Sequence, residues 1–208
     1  MGAQGGFATH LLVPHARYLV DADGLDPATT AVLACSGVTA YSAVQKFGTL
    51  SADDWVAVIG CGGVGLMALS VLAAMGHQRV IACDIDGAKL QAAAAVGAAA
   101  TVNLKTTPGP AELLKLSGIG LAHMVDFVGA PATSQLALPA LRKGGQMVVV
   151  GLFGGALPVP LPALAMREVS LRGSAVGNTA QIRELVQLVR EGKLKLPAVQ
   201  VRPLAQAE

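Results

Sequence analysis

Aromatic side chains make up only 3% of this 208-residue chain, and charged ones only 13%. With so few rings, Ala, Val, Leu and Gly must fill the core that a 53% hydrophobic content implies. Small side chains of that kind suit helices packed closely on a parallel sheet buried on both faces. So apolar a chain is not disordered. A formal net charge of +2, with Lys and Arg scattered and no basic run, speaks against a nucleic-acid or membrane-surface partner. Cysteine is scarce as well. Cys35, Cys61 and Cys83 are odd in number and far apart, forming neither a disulfide framework nor a paired metal knuckle, so the expectation is the reduced thiols of a cytoplasmic protein. The opening MGAQGGFATH lacks the basic start and apolar run of a secretory signal. One stretch lacks charge altogether: no Asp, Glu, Lys or Arg lies between Asp54 and Arg79, a length that would span a bilayer. Gly60, Gly62, Gly63 and Gly65 crowd its middle, however, and favour a turn over a continuous helix.

What is present is an alternation. The first stretch mixes FATHLLVP and RYLVDAD, read as short strands, with Pro14 and Gly24. Asp26 is a fitting N-cap with Pro27 at the first helical position, and Gly37 is expected to divide the helical segment that follows. WVAVIG, RVIACD, ATVN, HMVDFVG, GQMVVVGLFG and VSLRGSAVG then read as six strands. Between the first five lie the helical segments VGLMALSVLAAMG, GAKLQAAAAVG (capped by Asp86 and ended by Gly97), PAELLKLSG and ATSQLALPALRKG, the last broken or ended near Pro139. Pro158, Pro160 and Pro162 are expected to exclude a regular element from their loop. TAQIRELVQLVREGK closes as an amphipathic helix. Strand–helix alternation predicts an α/β fold with a doubly wound parallel sheet and right-handed crossovers.

Within it, Gly60-Cys61-Gly62-Gly63-Val64-Gly65 matches G-x-G-x-x-G. Alone this match is weak. Here a strand precedes it, a helix follows, and Asp84 ends the next strand 19 residues after Gly65, close to the roughly 20 of the dinucleotide fingerprint. Gly60 makes the tight turn, Gly62 lets a pyrophosphate approach the backbone, and Gly65 lets the helix pack on the strand. The helix beginning near Gly63 offers free N–H groups to the phosphates. Asp84 would accept from the adenosine ribose hydroxyls, and Ile85 beside it supplies no cation for a 2′-phosphate, so NAD is favoured over NADP. Lys89 either flanks that ribose or is simply solvated. A plain tight turn, or a methyltransferase site with the same strand-end acid, are the competing readings.

At this point the chain resembles the zinc-dependent alcohol dehydrogenases of the medium-chain dehydrogenase/reductase superfamily. The resemblance is carried by GGFATHLLVP with RYLV, LACSGVTAYSAV, GCGGVG with ACDID, VDFVGAP, GGQMVVVGL and SLRGSAVGN. It implies a Rossmann domain over residues 35–180, with residues 1–34 a remnant of the catalytic GroES-like domain and its linking helix. Residues 181–208 would be a C-terminal helix and return segment toward that domain. It implies that Cys35 is the last ligand of a catalytic zinc, that Thr39 contacts the nicotinamide, and that Val128 lies near the nicotinamide ribose. It further implies that Gly151 and Leu152 line the nicotinamide and that Ser174 to Val176 hold its carboxamide. The family's earlier cysteine, its histidine–glutamate pair and its proton relay have no counterpart here, and both ends look cut relative to the family. His10 and His15 match no family ligand.

The implied activity is hydride transfer between NAD and a primary or secondary alcohol or its carbonyl product. Zinc would act as Lewis acid in the intact enzyme, and the subunits would form a homo-oligomer. Taken on residues alone, Cys35 reads rather as a small buried residue beside a helix break, and it is the surrounding ACSGVTAY that points to the ligand role. Two other functions stand beside the dehydrogenase: a zinc-free quinone reductase-like member, against which Cys35 and Asp84 speak, and a non-catalytic nucleotide-binding module.

Overall fold

The computed structural model describes residues 6–206. Six strands, β1 (Val56–Ile59), β2 (Val80–Asp84), β3 (Ala100–Asn103), β4 (Leu121–Asp126), β5 (Leu141–Val149) and β6 (Ser170–Gly173), form one sheet in the order β3-β2-β1-β4-β5-β6. Every neighbouring pair is parallel. This is the doubly wound Rossmann order, which reverses between β1 and β4.

The uncharged stretch from Asp54 to Arg79 divides as its glycines require. It gives β1, a turn, and the helix α3 (Gly63–Ala74), taking the numbering from α1 (Pro27–Thr30) and α2 (Ser36–Gln45) ahead of it. Among the described residues no helix is long and apolar enough to cross a membrane. β1 is buried along its whole length, and its side chains alternate between two cores. Val56 and Val58 face the cluster built with α2, α3, α4 (Gly87–Val96) and α9 (Thr179–Arg190). Ala57 and Ile59 face the cluster of the opposite layer, with Leu113 of α5 (Gly109–Ser117) and Leu121, Met124 and Met147 of β4 and β5. Both faces being covered is what a continuous apolar strand needs, at roughly 1.5–3 kcal/mol for each large aliphatic side chain withdrawn from water.

The caps behave as their chemistry demands. Asp26 accepts from the amides of Ala28 and Thr29 at the start of α1, with Pro27 first in the helix. Asp86 caps α4 through Ala88 N–H, and Gly97 ends it at φ +121°.

Four expectations are corrected. FATHLLVP and RYLVDAD form no strands. Apart from a 3-10 turn at Ala16–Tyr18 this segment is irregular. Its backbone finds no partner strand among the described residues, and an unpaired extended segment is not a strand. The helical segment breaks at Cys35 (φ −130°, ψ −75°) rather than at Gly37. Gly37 lies inside α2 because the helix runs tight there: a Cβ would come within 3.0 Å of Leu33. The proline-rich loop does hold a helix, α8 (Leu161–Arg167), with Pro160 as its N-cap and Pro162 in its first turn, where proline's missing N–H costs nothing. The segment before β5 is two single-turn helices, α6 (Pro131–Ser134) and α7 (Ala137–Ala140), and the strand begins at Leu141, ahead of Gly145.

Candidate functional site

Parallel strands deliver their C-terminal ends to one edge, and there the predicted residues gather. The glycine-rich turn follows β1, Asp84 ends β2, Val128 follows β4, Gly151 and Leu152 follow β5, and Ser174 to Val176 follow β6. The crevice lies where the strand order reverses, the place at which open α/β sheets bind ligands.

Each glycine of the turn answers a different constraint. Gly60 sits at φ +87°, and a Cβ there would meet Val128 Cγ2 at 2.8 Å. Gly65 lies so close that a Cβ would collide with the Gly60 carbonyl. Gly62 and Gly63 meet no atom within 4 Å; their space is open, as approach by a ligand requires. No side chain caps α3. Its first intrahelical bond runs from Leu66 N–H to Gly62 C=O at 2.9 Å, so the amides of Gly63, Val64 and Gly65 face the crevice side of the helix end with the positive end of its dipole.

Asp84 is buried and already engaged. Its carboxylate accepts from Cys61 N–H at 2.7 Å, Ile85 N–H at 2.7 Å and Asp86 N–H at 3.0 Å. It therefore braces the glycine-rich turn, and carboxylate lone pairs remain for further donors. Ile85 and Lys89 are exposed, Ile85 at 64%. Cys61 is buried in the turn, and burial followed by the Asp84 charge pushes its thiol up to about 12. Burial likewise raises the Cys83 thiol. These two cysteines are packing residues, inert as nucleophiles.

On the far side of the crevice, Val176 has φ +46°, a conformation that β-branched residues rarely adopt. Its neighbour explains how it is held. Gly177 packs so tightly on α2 that a Cβ would lie 2.5 Å from Val38 Cγ2, and Asn178 caps α9 by accepting from Gln181 N–H at 3.0 Å. Ser174 Oγ is buried without a hydrogen-bond partner. Thr39 is buried on α2, and Leu152 is 96% exposed.

Cys35 is exposed at the start of α2, which corrects the expectation of a small buried residue there. Among the described residues no group of three His, Cys, Asp or Glu side chains is arranged to hold a metal ion. The residues present do not fit a zinc centre, which takes three protein ligands when catalytic. They do fit a dinucleotide: an uncapped helix end, an open glycine cradle and an orphaned buried hydroxyl lie along one crevice.

Sequence reasoning passed over Asp126, the most deeply buried carboxylate of the chain's described part at 0% exposure. Its signal was an acid inside an apolar strand, with Gly129, Thr133 and Ser134 close behind. It also passed over a cavity of about 400 Å³ lined by Tyr18, Val38, Val176 and Ile182.

Residues 63–191 match a family model described as zinc-binding dehydrogenase. The NAD-dependent alcohol dehydrogenase of Sulfurisphaera tokodaii is 33% identical over 205 residues, which are 98% of this chain and 59% of that protein. An alcohol dehydrogenase of a Moraxella species is 39% identical over 194 residues, 92% of this chain and 56% of the relative. The solved structure of an alcohol dehydrogenase from Aeropyrum pernix superposes with a TM-score of 0.80 at 36% identity, over 86% of this chain and 52% of that one. A D-arabinose dehydrogenase from Sulfolobus solfataricus gives a TM-score of 0.84 at 25% identity, over 93% and 60%. The chain thus spans between half and three fifths of the length of these relatives.

Proposed function

Since this chain belongs to the zinc-binding dehydrogenase family, we propose that it is the cofactor-binding part of an NAD-dependent alcohol dehydrogenase. The observation that carries this is the Gly60–Gly65 turn at the reversal of strand order, with Asp84 closing the next strand. The pyrophosphate would lie on the open backbone of Gly62 and Gly63 and on the amides of Val64 and Gly65. Asp84 would take the adenosine ribose hydroxyls, with Ile85 and Lys89 flanking it. Thr39, Val128, Gly151, Leu152, Ser174 and Val176 would surround the nicotinamide half. When bound, NAD supplies the ring that accepts a hydride from an alcohol; this chain's share is position and electrostatics. Cys35 is a zinc ligand only in company with residues beyond the described set, and nothing in this chain's own chemistry depends on it.

Similarity to curated alcohol dehydrogenases supports an alcohol or carbonyl compound as substrate. A homo-oligomer is supported by the edge strand β6, exposed along all four residues, and by the exposed Leu152 and Phe153. Three free cysteines fit a reducing cytoplasm.

The test is titration of the purified chain with NADH and NADPH, following nicotinamide fluorescence. NADH should saturate at a dissociation constant at least tenfold below that for NADPH, because Asp84 repels a 2′-phosphate and Ile85 offers it no cation. Equal binding of the two would remove Asp84 from the ribose site, and absence of binding would defeat the whole assignment.

A further inference from the structure

We infer that Asp126 is a positioning residue: its buried carboxylate pins the loop after β4 to the helix that follows, its main-chain carbonyl holds the loop after β5 alongside, and the nicotinamide half of the crevice is set by the loop so pinned. The inference rests on the dinucleotide reading above.

A carboxylate at 0% exposure is costly unless every lone pair finds a donor. At Asp126 the donors come from three directions. Oδ1 accepts from Val128 N–H at 2.9 Å and Gly129 N–H at 3.0 Å. Oδ2 lies 2.8 Å from Thr133 Oγ1 and 3.0 Å from Ser134 Oγ, both hydroxyls on α6. Its main-chain carbonyl accepts from Val150 N–H at 2.9 Å and Gly151 N–H at 3.0 Å. One residue therefore ties the β4 loop, the helix after it, and the β5 loop. No cation takes part among these partners, so the charge is held by hydrogen bonds alone, which are stronger to an ionised acceptor.

The loops so tied leave no slack. A Cβ on Gly129 would collide with the Gly151 carbonyl, and one on Gly151 would collide with Val128. Beyond the carboxylate the two loops stay paired, with Phe153 N–H donating to Val128 C=O at 3.2 Å and Gly154 N–H to Gly129 C=O at 3.1 Å. Val128, placed by the Asp126 bond, in turn covers Gly60, the first glycine of the phosphate turn. Sheet order confines the effect to one side. β4, β5 and β6 lie on one flank of β1, and β2, which carries Asp84, lies on the other. Loss of the Asp126 carboxylate should therefore disturb the nicotinamide flank and spare the adenosine flank.

Two measurements on the full chain test this. First, backbone amide hydrogen exchange without ligand should show faster exchange at Val128 and Gly129 in Asp126→Ala, whereas Val150 and Gly151, held by the main-chain carbonyl, should change less. Asp126→Asn should hold Val128 and Gly129, since its oxygen still accepts from the two amides and its NH₂ group can donate to the two hydroxyls. Second, NADH should bind about tenfold more weakly to Asp126→Ala, while ADP, which lacks both the nicotinamide and its ribose, binds within twofold of the parent. Asp126→Asn should restore NADH binding. Should Asp126→Ala fail to fold, Thr133→Val with Ser134→Ala removes two of the donors and should produce the same split at smaller amplitude. Equal weakening of both ligands, or unchanged exchange at Val128 and Gly129, overturns the inference. Failure of the parent chain to bind either ligand would instead overturn the dinucleotide reading, and the exchange data would still decide whether Asp126 holds the loops.

Discussion

At the scale of single residues, the four glycines of the turn look alike in sequence and are not alike in space. Gly65 has no room for a methyl group against the Gly60 carbonyl, whereas Gly62 has nothing within 4 Å. Gly65→Ala must push α3 away from β1, an overpacking cost of about 1–3 kcal/mol or more because the obstacle is backbone. Gly62→Ala should cost only a few tenths of a kcal/mol in the free protein, where its backbone lies in the extended region at φ −73°, yet weaken NADH and ADP-ribose alike by intruding on the pyrophosphate's approach. Thermal unfolding and ligand titration on the same two variants separate these effects. Destabilisation by Gly62→Ala as large as that by Gly65→Ala would mean that the open cradle has been misread. The spacing of the glycines and Asp84 was legible because the fingerprint is a local pattern. The three amide bonds that Asp84 accepts were not, because they depend on how two neighbouring strands end side by side.

At the scale of elements, the opposite edge of the sheet carries a second buried polar cluster, remote from the crevice. His123 of β4 stacks on Phe47 at 4.7 Å between ring centroids. Its Nε2 lies 3.9 Å from Asp54 Oδ2, and its Nδ1 is buried without a partner. Asp54 accepts from Arg142 of β5 at 2.8 Å and from Ser51 N–H at 2.9 Å. Burial lowers the His123 pKa below its usual 6.5; the Asp54 carboxylate opposes this, and Arg142 and His77 add to it. For Asp54, burial raises the pKa, but the Ser51 amide and the Arg142 charge outweigh it, and the net shift is downward. The two groups act in different pH windows. A histidine whose folded pKa is depressed contributes stability that is complete above about pH 6.5 and is lost as pH falls toward the lowered value. Asp54 loses its contribution only below about pH 4, as its own folded pKa is approached. His123→Phe, which keeps a ring against Phe47, should therefore flatten the fall in urea midpoint between pH 7 and pH 5 without altering the fall below pH 4. An unchanged slope between pH 7 and 5 would assign that loss to another group. The six strands of the sheet were readable from the apolar runs, whereas this cluster was not, since its members come from five separate segments. The misread elements share a cause: FATHLLVP has strand composition but no partner, and Pro160 and Pro162 fall where a helix tolerates them, so local propensity gave way to context in both.

At the scale of the whole molecule, the fold and the metal chemistry of its family separate. The crevice proposed for a dinucleotide is assembled within this chain on six parallel strands, with its glycine-rich turn, Asp84, Val128 and Gly151 at strand ends or a helix start. The zinc position is different in kind. A catalytic zinc takes three protein ligands and keeps a fourth position open, yet Cys35 stands exposed and no suitable trio occurs among the described residues. The histidines offer no remedy. His77 and His123 belong to the cluster away from the crevice, and His10 and His15 are exposed in the irregular leading segment. The matched part makes up 52% and 60% of two relatives of known structure. Cofactor binding and turnover should therefore come apart. The purified 208-residue chain should bind NADH saturably, yet with NAD, zinc and a primary or secondary alcohol it should form no NADH above the protein-free rate. Adding zinc should leave its melting temperature unchanged, because one exposed thiolate gains too little from the ion to favour the folded state measurably. Zinc-stimulated alcohol oxidation, abolished by Cys35→Ser, would show instead that this chain completes a metal site.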